Sequence, residues 1–240
     1  MILVDIGNTT LHFAIEKDNK IVKDFRIYNK DWHKEHLYKI LRDYPNSKFI
    51  LCSVVPSFTA FFKKVLKSKL LVVGEDIKTP IKCLYNKNDV GQDRLVNVYS
   101  ALVFYPKARI VIDFGTAITI DFISSQGVYL GGFILPGINL YLDSLKRCAL
   151  LANRIRLVKS RVVIPKNTQS SISQGLYEGF SFMINGFIEK YGKLLYRGNY
   201  RVVVTGGESP LLLKRLNFPF IYEPSLILKG FLLLKNCCKR

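Results

Sequence analysis

The chain has 240 residues, 49% of them hydrophobic and 22% charged, with a formal net charge of +18. This composition excludes a disordered or low-complexity chain and allows one large domain or two small ones around a real core. The positive charge admits nucleic acid, anionic lipid or an anionic small substrate. The lysines are spread along the chain with no block of five or six, and no nucleic-acid-binding motif accompanies them. A compositional bias is therefore the better reading, and nucleic acid is not the expected partner. The five cysteines, at 52, 83, 148, 237 and 238, fit no zinc spacing. With no export signal, they point to reduced thiols and a cytoplasmic protein. The longest uncharged run, 129–142, is too short to cross a membrane.

In chain order, residues 1–4 are apolar and end on Asp5, Gly7, Asn8, Thr9 and Thr10, which predicts a buried strand and a turn. Residues 11–15 and 21–28 predict two further strands of a meander. The spacing of Trp32, Leu37, Ile40 and Leu41 predicts a helix over 31–44 with Asp31 as N-cap. His33, Glu35 and His36 read as a solvated helix face, since the sequence places no further metal ligand beside them. A strand at 49–54, a helix at 57–67 and a strand at 70–73 predict a crossover unit, with 52–56 at the carboxyl end of a strand, where α/β folds bind ligands. A polar, glycine-bearing stretch then leads into the helical pattern of Leu95, Val98 and Leu102. Asp93 and Arg94 therefore stand at a helix start, either as a cap with a first-turn ion pair or as catalytic groups.

The second half begins with a strand ending at Asp113, then a strand to Ile123 and a turn at 124–127. Residues 129–137 predict a glycine-rich strand running into a loop, followed by a helix at 138–151 and a polar loop at 164–171. A long helix is expected over 175–195, with Gly175, Gly179 and Gly186 letting it pack tightly on another element. A strand at 201–205, a short helix at 211–216, a strand at 220–222 and a closing helix at 225–236 complete an α/β chain.

The pattern at Asp5 recurs. Residues 109–119 read RIVIDFGTAIT, again an apolar run ending on an acid, Asp113, with Gly115 and Thr116 behind it. A third run, RVVVTGG, ends at Thr205, Gly206 and Gly207. One such loop would be an ordinary hairpin turn. Repetition suggests two related halves, each giving a phosphate-facing loop to one cleft. Glycine and successive backbone N–H groups with hydroxyls beside them favour an anion. The carboxylate cannot bind phosphate itself, and its natural role is to hold Mg²⁺, directly or through water.

With these motifs in place, the chain resembles the type III pantothenate kinases over residues 3 to about 230. The resemblance rests on Asp5–Thr9, Gly91-Gln92-Asp93-Arg94, Asp113-Phe114-Gly115-Thr116, the segment Gly131–Gly137, Asn167-Thr168 with Ser171, Ile172 and Gly175, and Thr205-Gly206-Gly207. It implies two ribonuclease-H-like domains of the actin-like ATPase superfamily with a cleft between them. Residues 1–108 and 109–224 would form them, and the helix over 225–240 would pack back on the first. It implies ATP-dependent phosphorylation of pantothenate, the first step toward coenzyme A, with Mg²⁺ and K⁺ or NH₄⁺, by a homodimer. By resemblance Asp93 accepts the substrate's hydroxyl proton. Tyr85, Gly91, Gln92, Asp93, Arg94 and Thr168 line the pantothenate pocket. Asp5, Ile6, Gly7, Asn8, Thr9, Thr10, Leu11, His12 and Thr116 hold ATP, and Asp113 holds the monovalent cation. The chain departs from the family at Ala14, at Lys87-Asn88 and at Leu151–Arg154, none of them a motif acid.

No Walker A loop is present, so something else must neutralise the phosphates: Asp5 with Mg²⁺ is expected to do part, and the resemblance implies that Asp113 with K⁺ takes the role of a P-loop lysine. Two rival readings are a kinase of the same superfamily acting on another small alcohol and a non-catalytic accessory protein of transcription. The first would share both phosphate loops; the second has no need of Asp93 and Asp113 together.

Overall fold

The computed structural model describes residues 1–86, 89–148, 157–158 and 163–237. The departures at Lys87-Asn88 and at 151–154, and the basic tail beyond 237, lie outside the described residues. The chain forms two compact units: residues 1–106 with 127–131 and the C-terminal segment from 225, and residues 107–126 with 132–224.

The first unit is built on a sheet of five strands. These are β1 (Ile2–Ile6), β2 (Thr10–Lys17), β3 (Lys20–Tyr28), β4 (Phe49–Ser53) and β5 (Leu70–Val72), in the order β3-β2-β1-β4-β5. β1 pairs antiparallel with β2 and parallel with β4. It is central and covered on both faces, which is why it reads as a continuous apolar run. Ile2, Val4 and Ile6 face a core shared with α1 (Lys34–Asp43) and α2 (Pro56–Leu66), through Leu37, Ile40, Phe62 and Leu66. Leu3 faces the opposite core, with Ala14, Ile50 and Cys52 of the sheet, Val96 of α3 (Gln92–Phe104) and Leu228, Phe231 and Leu234 of α6 (Leu226–Cys237). Buried Glu16 accepts from Lys235 Nζ at 2.6 Å and also pairs with the Met1 ammonium at 3.5 Å, tying α6 to the N-terminal hairpin.

The second unit repeats the plan. Its strands are β6 (Ala108–Phe114), β7 (Ala117–Ile123), β8 (Tyr129–Pro136), β9 (Arg201–Thr205) and β10 (Phe220–Tyr222), in the order β10-β9-β6-β7-β8. The central strand again pairs antiparallel with its sequence neighbour and parallel with a later strand. Phe122 and Phe133 of this sheet pack with Phe187 and Tyr191 of α5 (Thr168–Tyr196), at ring separations of 4.8 to 5.8 Å.

Several sequence expectations change. Asp31 caps nothing on α1: it closes a 3₁₀ turn, and the helix starts at Lys34 with His33 as N-cap. His33 and His36 bond each other's turn in a capping box, which gives these histidines a local role. α4 (Ile138–Lys146) is shorter than expected, and the rest of the expected helix falls largely outside the described residues. α5 begins at Thr168, where a polar loop was expected, because the Asn167 side chain accepts from Ser170 N at 3.0 Å and caps it. The short helix expected at 211–216 is two 3₁₀ turns, Ser209–Leu211 and Leu213–Arg215.

Of the glycines of α5, Gly192 meets Tyr200 closely, but the three expected to pack tightly do not mark a close contact. Among the described residues, a Cβ at Gly175, Gly179 or Gly186 meets nothing within 4 Å. Helix contact through glycine occurs instead at Gly230 of α6, where a Cβ would lie 2.4 Å from Val96 Cγ1. Gly179→Ala should therefore stabilise the chain by about 0.5–1 kcal/mol through helix propensity. Gly230→Val should destabilise it by about 1–3 kcal/mol through overpacking. Urea unfolding of the two variants measures both signs.

Candidate active site

The acids end the central strands of both sheets. Asp5 lies opposite His12 on β2 and Cys52 on β4. Side chains alternate along a strand, so Asp5 shares the face of Leu3 and Cys52, the face covered by α3. α3 brings Asp93 to the same place. Burial pushes the Cys52 thiol well up, and the nearby Asp5 and Asp93 carboxylates push it further in the same direction. One buried thiol thus feels the charge of both acids that the sequence singled out in this unit.

The Gly-x-Asp spacing at 91–93 has a steric cause. Gly91 is the N-cap of α3, and a Cβ there would stand 2.4 Å from Asp93 Oδ1. Without that Cβ, the carboxylate folds back and accepts from Arg94 N at 2.8 Å. Asp93 is therefore not the N-cap of α3, although it satisfies one amide of the first turn. Arg94 is buried, with its guanidinium 5.9 Å from the centroid of the fully buried Tyr129 ring. Residues 82–84 pair with Tyr129 through Tyr129 N to Lys82 O at 2.8 Å and Leu84 N to Tyr129 O at 3.0 Å. This pairing sets half-exposed Tyr85 beside Gly131.

In the second unit Asp113 lies opposite Thr119 on β7 and Thr205 on β9, so both hydroxyls stand on its face of the sheet. Gly206 has φ +96°, and a Cβ there would be 2.4 Å from Asp113 Oδ1 and 2.5 Å from the Phe114 backbone. Only glycine fits, which explains the residue behind Thr205.

The two acid-bearing loops are held alike. Gly7 N donates to Thr10 O at 3.0 Å, Asn29 N to Thr9 O at 2.8 Å and Val54 N to Ile6 O at 3.0 Å. In the second unit Gly115 N donates to Ala117 O at 3.2 Å, Gly137 N to Thr116 O at 3.0 Å and Glu208 N to Phe114 O at 2.9 Å. Asn29 directly follows β3 and Gly137 directly follows β8, so the third strand clasps the loop in each unit. Asn29 adds a side-chain bond, Nδ2 to Gly7 O at 3.0 Å. Glu208 has a comparable part: its carboxylate accepts from Ile138 N at 2.8 Å and Asn139 Nδ2 at 2.5 Å. Burial pushes the Glu208 carboxyl up, and these donors pull it back.

Asn29 and Glu208 escaped the sequence reading because each takes its meaning from a loop distant in the chain. Their only signals were an acid directly after Thr-Gly-Gly and a polar residue directly after a strand. Of the expected site residues, Asp5–His12, Tyr85 and Gly91–Arg94 lie in the first unit, and Asp113, Thr116 and Thr168 in the second. Thr168 is the first residue of α5.

A family model of type III pantothenate kinases matches residues 1–190. This chain belongs to the type III pantothenate kinase family. A type III pantothenate kinase of Dehalococcoides mccartyi is 33% identical over 96% of this chain and 95% of its own length. Among solved structures, a Campylobacter jejuni protein assigned to the Baf family of transcriptional activators matches at TM-score 0.66 and 23% identity, over 99% of this chain and all of that one. The activator of 2-hydroxyisocaproyl-CoA dehydratase from Clostridium difficile, solved with bound ADPNP, matches at TM-score 0.59 and 13% identity, over 100% of this chain and 96% of that one. At these identities the two structures speak for the fold alone. With the repeated sheet order, they support a fold of two ribonuclease-H-like domains for this type III family member. Among the described residues no helix is long and apolar enough to cross a membrane.

His12, beside Asp5, is 5% exposed and donates from Nε2 to Asp24 Oδ2 at 2.8 Å. Burial pushes its pKa below the ordinary 6.5, against the pull of Asp24. The unfolded chain therefore binds this proton first as pH falls, so the native state loses stability below about pH 6.5. Urea unfolding between about pH 7.5 and 5.5 should show that loss, and His12→Gln should flatten it.

Proposed function

We propose that this chain carries out its family's reaction with Asp93 as proton acceptor and with one strand-end carboxylate of each unit serving a cation. The reaction is ATP-dependent phosphorylation of pantothenate to 4'-phosphopantothenate, the first step of coenzyme A biosynthesis. The observation that carries the reading is that Asp5 stands in register with Cys52 at the strand ends, on the sheet face covered by α3, and that Asp93 in the first turn of α3 also acts electrostatically on that thiol. It gives one acid for the phosphate side and one for the hydroxyl side within a single unit.

Asp93 accepts the proton of the pantothenate hydroxyl as that oxygen bonds to the γ-phosphorus. The bond from that phosphorus to the bridging oxygen breaks, and ADP leaves. The Arg94 amide holds the Asp93 carboxylate in place, and the buried Arg94 guanidinium offsets its charge. Such a transfer is governed by positioning and charge stabilisation. Residues 5–12 and Thr116 hold ATP, while Tyr85, Gly91, Gln92, Arg94 and Thr168 line the pantothenate pocket.

The donor sets fit the cations. Among the described residues no group of three or more His, Cys, Asp or Glu could hold a metal ion. Mg²⁺ suits such a site, since it is usually held by one or two carboxylates together with substrate phosphates and water. Asp5 would hold it. Asp113, with the Thr119 and Thr205 hydroxyls on its face, offers the oxygen donors that K⁺ or NH₄⁺ takes. These ions supply positive charge to the phosphates. We further assign the protein to the cytoplasm as a homodimer, which light scattering of the purified chain checks.

A coupled assay of pantothenate-dependent ADP release tests the activity, and absent release sinks it. Asp93→Asn should lose roughly 10²–10⁴-fold in kcat, the range for a positioned acid–base group, with ATP binding retained. Near-normal turnover would leave Asp93 only its helix-start role. Asp113→Asn should lose most of the stimulation by K⁺, and a full response to K⁺ in that variant would remove Asp113 from the cation site.

A further inference from the structure

Three structural facts meet at Glu208. Its backbone N–H donates to Phe114 O at 2.9 Å, directly behind Asp113. Its carboxylate accepts from the backbone of Ile138 and the side chain of Asn139, the first two residues of α4. The residue before that helix, Gly137, donates to Thr116 O at 3.0 Å. Phe114, Thr116 and the start of α4 therefore form one hydrogen-bonded ring that closes through Glu208. A carboxylate suits the place, because the first amides of a helix lack intrahelical acceptors and carry partial positive charge.

We propose that Glu208 is a positioning residue for the nucleotide, fixing the Asp113–Thr116 loop by tying it to the start of α4. The inference rests on the assignment of Thr116 to ATP. Glu208 acts through its neighbours. Its own oxygens are already occupied by Ile138 and Asn139, so its effect is on where Thr116 and Gly115 stand. A loop set slightly wrong weakens nucleotide binding and in-line transfer together. Pantothenate affinity should change little, since its proposed contacts 85 and 91–94 lie in the other unit and Thr168, at the start of α5, is not a member of the ring.

Steady-state kinetics on the full chain, with ATP and pantothenate varied in turn, tests the proposal. Glu208→Ala should raise the KM for ATP about tenfold and lower kcat, with the KM for pantothenate within about twofold. Glu208→Gln should recover to within about threefold, because its amide oxygen still accepts from Ile138 N and its amide nitrogen can donate to a turned Asn139. A generic loss of packing would move both KM values, and the amide would not rescue it. An ATP KM within about twofold of wild type in folded Glu208→Ala overturns the proposal, as does a Gln variant as impaired as Ala, or a parallel rise in both KM values. Should Glu208→Ala not fold, Asn139→Ala on the exposed side of the ring decides: an unchanged ATP KM there also overturns it. Thr116→Ala separates the two layers. If it raises the ATP KM and Glu208→Ala does not, only the Glu208 role falls. If Thr116→Ala is silent, the ATP assignment of Thr116 falls, and the Glu208 role with it.

Discussion

A carboxylate at the end of a fully covered central strand is costly to place, and both units of this chain solve the problem the same way. Three backbone hydrogen bonds hold each loop that follows the acid: one within the turn, one from the residue after the third strand, and one from the segment after the parallel neighbour. Backbone groups removed from water must find partners, so these bonds are obligatory once the strands pair. The acid is then fixed by the sheet itself and not by side-chain packing. A cation-binding carboxylate held on a rigid element keeps its place better than one on a free loop.

The repeat is stricter in topology than in residues. Both sheets set a central strand antiparallel to its hairpin partner and parallel to a later strand. The side-chain fastenings differ. Asn29 clasps Gly7 O in one unit, whereas Gly137 has no side chain and Glu208 fastens the other. The backbone pattern is common because pairing geometry dictates it. The side chains diverge because each loop needs only some donor or acceptor in reach, and either neighbouring segment can supply it.

The first unit brings its second acid, Asp93, to the strand end on a helix. α3 packs on the face opposite α1 and α2, with Val96 against the α6 core. That packing sets the helix so that its N-terminus reaches the carboxyl end of β1. Gly91 lets the Asp93 carboxylate fold back on the first turn, and Arg94 goes inward against Tyr129. The acid therefore depends on a core contact many residues away, which makes Gly230 and Val96 part of the support of the site.

Much was written in the chain. The apolar runs closed by Asp5 and Asp113 gave both central strands, because a strand buried on both faces must be apolar until it reaches its loop. Gly91 and Gly206 stand at close approaches, and the order of the motifs marked the family. Local pattern misled where tertiary contact decides. Asp31 looked like a cap, but the helix starts three residues on. Asn167 caps α5 well before the apolar spacing begins, since a cap needs one hydrogen bond and no buried face. Gly175, Gly179 and Gly186 looked like a packing seam, yet among the described residues a Cβ at any of them meets nothing within 4 Å, while Gly230 meets Val96. The clasp by Asn29 and the ring through Glu208 join residues 22 and 70 positions apart. The sequence determined the strands and the acids that end them, because period and turn chemistry are local. Only the tertiary structure decided which distant donor or acceptor holds each loop, because hydrogen-bond partners across a fold leave no trace in spacing.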